Sequence, residues 1–152
     1  MKILKITAIA LLMTGSFSSC LTKADSEYYE PIEIPVMEYS LQETGCWWTN
    51  KKHEKVFLIN SNEEFKKYIE CTDNACIYPS IDFSKHTLLL TNGVAYNGVA
   101  EINSIFLKVG SNKYTWNVTI RLNAAQVIEK WSTAILVTKL TNKATIVKYV
   151  QQ

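Results

Sequence analysis

From residue 113 to 122 the chain alternates almost without fault. Tyr114, Trp116, Val118, Ile120 and Leu122 fall on one side, and Thr115, Asn117, Thr119 and Arg121 on the other. A period of two predicts a half-buried antiparallel strand with Trp116 in the core. Leu88, Leu89 and Leu90 are consecutive, as in a strand buried on both faces. Val56 to Ile59 is a shorter run of strand length, and residues 102–109 alternate less cleanly before the turn Gly110-Ser111-Asn112. Residues 133–140 and 144–150 predict a last pair of strands around Thr141-Asn142-Lys143, with Trp131 leading into the core.

One segment changes period. Ser61-Asn62-Glu63-Glu64 matches a capping box, with Ser61 as N-cap and Glu64 at the third helical position. Phe65, Tyr68 and Ile69 then recur at i, i+3 and i+4, which predicts a helix of roughly two and a half turns ending near Cys71. Glu63 stands four residues before Lys67 on its outer face. Asp73 and Asn74 supply turn chemistry after it. Asn92-Gly93 and Asn97-Gly98 are turn signals that predict a hairpin or bulged loop, with Tyr96 and Asn97 as contact residues at its tip. Together these elements predict an α+β domain: an antiparallel β-sheet of about five to seven strands packed by one short helix.

The start of the chain has a different character. Lys2 and Lys5 precede a short apolar run, and Gly15-Ser16-Phe17-Ser18-Ser19 leads into Cys20. The run is too short to span a bilayer, which takes about 20 apolar residues. It reads as a signal peptide over 1–19 and resembles a lipobox, with Phe17 where Leu is commoner. Cys20 is then the lipidated residue, and its acyl chains would hold the protein in the lipid bilayer of the cell envelope at the outer membrane, with periplasmic and surface faces both open. Residues 20–44, carrying Glu27, Glu30, Glu33, Glu38 and Glu43 with Pro31 and Pro35, read as a tether. As a flexible coil, about 24 residues would hold a domain about 25–30 Å from the membrane, unless Tyr28, Tyr29 and Tyr39 lie down on it. A single α+β domain over 45–152 follows.

Cleavage before Cys20 removes Lys2 and Lys5, so 16 basic residues become 14 against 14 acids. A balanced domain has no electrostatic footprint for nucleic acid. Cys46, Cys71 and Cys76 remain in an exported compartment, where one disulfide among three candidate pairings is expected. Loop closure is worth roughly 2 kcal/mol for Cys71–Cys76 and roughly 3.5 for Cys46 with either partner, so a long closure is preferred. Of the two long closures, Cys46–Cys71 is favoured because it would tie the entry strand to a helix end. Cys76 would then stay a thiol. No basic side chain or His stands next to it to make it a reactive nucleophile, and Cys-x4-Cys lacks a second ligand pair for zinc.

Catalytic motifs are missing from the sequence. There is no phosphate loop, nucleophile elbow, zinc helix or calcium loop, and no cofactor is implied. A hydrolase would have to use His53 or His86, the two histidines. Asp82, Ser84 and His86 lie close in sequence, but neighbours on an extended chain do not converge into a triad, and a turn bonded by Asp82 and Ser84 is the simpler reading. Trp47 and Trp48 are adjacent and must point apart if extended, which leaves one indole for a binding surface.

Trp48-Thr49-Asn50, then residues 59–64 and 81–90, with Trp131 and residues 134–140 to close, resemble small lipoproteins of unassigned activity from Gram-negative gut anaerobes. More distantly, the helix followed by Ile81-Asp82-Phe83 and a Leu-rich strand looks like the C-terminal domain of a protease-complex accessory subunit. Neither resemblance brings a catalytic motif. The first implies a recurring cysteine pair at Cys46 and Cys71. The expectation is a lipid-anchored, non-enzymatic binding or inhibitor-like module whose ligand is open between a protein and a glycan partner. The alternatives are a glycan-binding accessory lipoprotein and, behind it, a small hydrolase.

Overall fold

The computed structural model describes residues 29–49, 55–72 and 76–152. The segment read as a signal peptide, Cys20, Tyr28, His53 and the predicted turn residues Asp73 and Asn74 lie outside the described residues.

Strands dominate because most of the chain keeps the two-residue period. Sheet A contains β1 (Ile32–Glu33), β7 (Val99–Gly110), β8 (Lys113–Leu122) and β10 (Thr145–Gln151), in the order β1-β7-β8-β10. Sheet B contains β2 (Met37–Glu38), β9 (Glu129–Thr138), β6 (His86–Ala95) and β4 (Val56–Ile59), in the order β2-β9-β6-β4. A two-stranded ribbon joins β3 (Cys46–Trp48) to β5 (Ile69–Cys71). Pairing is antiparallel except for β10 against β8.

Sheet B is buried on both faces. One face shares a core with sheet A, in which Leu89, Ile135 and Val137 meet Phe106, Trp116, Val118 and Ile120. On the other, Leu88, Leu90, Ala134 and Ile59 pack with Tyr39, Leu41, Phe65 and the ribbon. The three consecutive leucines are therefore divided between two cores, as a doubly buried strand requires.

Several expectations are corrected. Among the described residues there are ten strands in three sheets, in place of one sheet of five to seven packed by a helix. The helix α1 is one turn, Asn62–Phe65. Ser61 does cap it, accepting from the Glu64 N–H at 3.2 Å, while the Glu64 carboxylate accepts from the N–H of Asn60 at 2.7 Å. The chain then leaves the helical path because Ile69 and Cys71 are drawn into register with Trp48 and Cys46. Tertiary pairing outweighs a weak local preference.

The segment read as a tether is folded from Ile32 onward. It supplies β1 and β2, which edge both sheets, and it buries Tyr39 and Leu41. Strands β9 and β10 do not pair with each other. The connection between them crosses from sheet B to sheet A, so β10 runs parallel to β8 and turns Ile146 into the shared core.

Asn92-Gly93 is no turn either. Both residues lie inside β6, and the reversal falls at Tyr96-Asn97-Gly98. Gly93 is selected by a close approach, because a Cβ there would stand 2.5 Å from Cζ2 of Trp131, the residue paired with it across β9. Gly93→Ala is expected to cost about 1–3 kcal/mol in urea unfolding through overpacking. Tolerance within a few tenths would show that the ring is free to move.

Candidate functional site

The ribbon and the turn before it wall one open concavity. Residues 40–45 form a tight corner: the Gln42 N–H donates to Ser40 Oγ, and the N–H and hydroxyl of Thr44 both donate to the Leu41 carbonyl. Glu43 and Gly45 take left-handed conformations, with φ of 62° and 70°. This corner turns the chain from β2 along β9 and returns it as β3, leaving a groove of about 380 Å³ between residues 38–42, 46–48 and 132–134.

The groove is graded from back to rim. Tyr39, Leu41, Cys46 and Ala134 are buried at its back, while Glu38, Ser40, Gln42 and Trp47 are exposed along its edge. Ser132 and Thr133 of β9 add half-buried hydroxyls. An apolar base with a few hydrogen-bonding groups around it is the general make-up of a binding cleft.

The adjacent tryptophans do point apart. Trp47 is 48% exposed on the groove. Trp48 turns inward, with ring centroids 5.9 Å from Tyr39 and 5.8 Å from Phe65. Phe65 also meets Tyr39 edge-on at 5.8 Å, so the wall behind Trp47 is a packed aromatic cluster. Tyr39 donates its hydroxyl to the Pro79 carbonyl at 2.6 Å. Burial, with Tyr78 nearby, pushes its pKa up to about 12, so it remains a protonated donor. Cys46 and Cys71 are joined as a disulfide across opposed positions of the ribbon, which fixes the strand that presents Trp47.

The other sequence candidates lie elsewhere. Tyr96 and Asn97 are exposed on the β6–β7 turn and do not line the groove. His86 begins β6, half-buried opposite Thr138. The Asp82 carboxylate accepts from the amide and hydroxyl of Ser84 and pairs with Lys85 at 3.4 Å, and these contacts hold its carboxyl below the usual range. Among the described residues no hydrogen bond joins the His86 ring to Asp82 or Ser84, so the run forms the bonded turn that its spacing suggests.

Sequence reasoning did not find Glu38, Ser40, Gln42, Ser132 and Thr133. Their one signal was position beside buried residues of β2 and β9, and that needs the sheet order to be known. It also missed Asn92, which opposes Ser132 across β6 and β9 and is fully buried, with neither amide atom hydrogen-bonded among the described residues. A second cavity, of about 300 Å³, opens beside Trp131 and Lys148. The Lys148 ammonium there donates to Thr91 Oγ1 at 3.0 Å and sits 5.7 Å from the Trp131 ring centroid.

No protein family, curated protein or solved structure matches the chain.

Proposed function

We propose that this chain is an exported lipoprotein, anchored through acylated Cys20, that acts as a non-enzymatic binding module through the Trp47 groove. One observation carries the reading: a half-exposed indole, rigidly backed by an aromatic cluster and a disulfide, stands on a groove with an apolar back and a polar rim. A few residues, tryptophan prominent among them, carry most of the energy of protein recognition once a partner desolvates them fully. The cell envelope is the location this reading requires, and a protein partner is the ligand class it favours.

Capture from native membranes tests it, using the anchored chain beside Cys20→Ala and Trp47→Ala. A partner retained by the anchored chain should be lost by Trp47→Ala, with capture down about 30-fold, equivalent to about 2 kcal/mol. The melting temperature should stay within a degree or two, because Trp47 lies outside both cores. Equal capture by Trp47→Ala would move the binding surface off the groove.

A glycan is the second reading, favoured by the exposed Trp47 face beside the Ser40, Gln42 and Glu38 side chains. It predicts that Trp47 fluorescence shifts with polysaccharide, and a flat response across a broad panel would remove it.

A further inference from the structure

A third sulfur stands beside the disulfide of the ribbon. Cys76 is a half-buried thiol, and the Sγ atoms of Cys46, Cys71 and Cys76 all lie within 4.8 Å of one another. Its place is built by the strands on either side. Thr72, the residue after β5, donates its N–H to the Gly45 carbonyl at 3.0 Å, and its Oγ1 lies 3.3 Å from Cys76 Sγ. The Cys76 thiol in turn donates to the Gly45 carbonyl at 3.7 Å. Gly45 makes the approach feasible, because a Cβ on it would stand 3.1 Å from both Cys76 Sγ and Thr72 Oγ1. Its φ of +70° also suits glycine.

We propose that the three cysteines form a thiol–disulfide exchange centre, in which the Cys76 thiolate attacks Cys46 Sγ and displaces Cys71. The Cys46–Cys76 bond forms as the Cys46–Cys71 bond breaks, and the bonding pair leaves on the Cys71 sulfur. Water takes the proton that Cys76 loses and returns one to the Cys71 thiolate. The reaction is an isomerisation, so no oxidant or reductant is consumed.

Burial sets its direction. Cys46 is buried while Cys71 is half-buried, and a thiolate leaves more readily where water can solvate it. Chain closure does not oppose the change, since the sequence separation goes only from 25 residues to 30. The staple moves without releasing β3, and Cys71 becomes the thiol at the end of β5. The inference does not depend on what the groove binds.

Connectivity mapping tests it on the full chain carrying Cys20→Ala, so that no fourth thiol competes. Samples held without reductant at about pH 5 and about pH 8.5, where thiols in general are protonated and increasingly ionised, are acid-quenched, alkylated in denaturant and digested. Cleavage before Asp73 separates Cys71 from Cys76. The expected result is Cys46–Cys71 with alkylated Cys76 in acid, and at the higher pH a Cys46–Cys76 peptide with alkylated Cys71, the two forms within about tenfold of each other. Cys46–Cys71 alone at both pH values overturns the proposal, and so does a Cys71–Cys76 product. With Cys71→Ser added to the Cys20→Ala chain and oxidised glutathione supplied as the oxidant, a folded chain with no titratable thiol and no bound glutathione supports it, and one that keeps two thiols overturns it. If that variant fails to fold, the mapping of the parent chain decides.

Discussion

Trp116→Ala is expected to lower the free energy of unfolding by about 3–5 kcal/mol, a large share of what a domain of this size possesses. Trp116 is fully buried at the centre of β8, in register with Phe106 of β7. Both project into the core that sheets A and B share. Phe106 is itself stacked on Tyr114, with centroids 5.2 Å apart and planes 5° from parallel, so it cannot swing over to fill the hole. A cavity between two sheets held at their spacing by many other side chains collapses little, and the cost falls toward the upper end of the range. Trp116→Phe should cost much less, about 1–2 kcal/mol. Among the described residues the indole N–H has no hydrogen-bond partner, so the smaller ring also removes a buried unpaired donor. Urea unfolding of the two variants separates these contributions. A loss under about 1 kcal/mol for Trp116→Ala would mean that the sheets do not share one cooperative core. Equal losses for both variants would mean that the N–H has an acceptor.

That strand was also the most legible part of the sequence, and the reason is local. Alternation along residues 113–122 records a single boundary between core and solvent, and that boundary is a property of one strand. Leu88, Leu89 and Leu90 carried a second message, burial on both faces, and sheet B is covered on both. What failed was whatever depends on a distant partner. The Phe65, Tyr68 and Ile69 spacing suits a helix, but pairing of Ile69 with Trp48 and of Cys71 with Cys46 overrides it. Asn92-Gly93 has turn chemistry, but Gly93 is there to let the Trp131 ring lie against the backbone. The acidic stretch before Cys46 lacks a sustained period because its two short strands edge different sheets, so no single face recurs. The candidate site divides the same way. Adjacency alone required Trp47 and Trp48 to part. The wall of Ser132 and Thr133 opposite them becomes visible only when β9 is placed beside β2.

Removing the disulfide with Cys46→Ala and Cys71→Ala together is expected to cost about 3.5 kcal/mol, the closure entropy of a loop of its length. The pair bridges residues 25 apart and sits at directly opposed positions of a ribbon only three residues long on each strand. A two-stranded ribbon this short is not stable by itself. It is held by the staple at one end and by the packing of Trp48 and Ile69 on the second core of sheet B at the other. Loss of the staple should therefore act at two levels. Global stability should fall by the closure term. The ribbon should also open locally, with amide exchange at Trp47 and Glu70 accelerating beyond what the global loss accounts for. Because Trp47 lines the groove from β3, the proposed partner should dissociate faster from the double variant even where the domain remains folded. A chain that loses stability while exchange at Trp47 and Glu70 merely follows the global change would show that packing alone positions the ribbon. In that case the disulfide guards the unfolded state and has no part in shaping the groove.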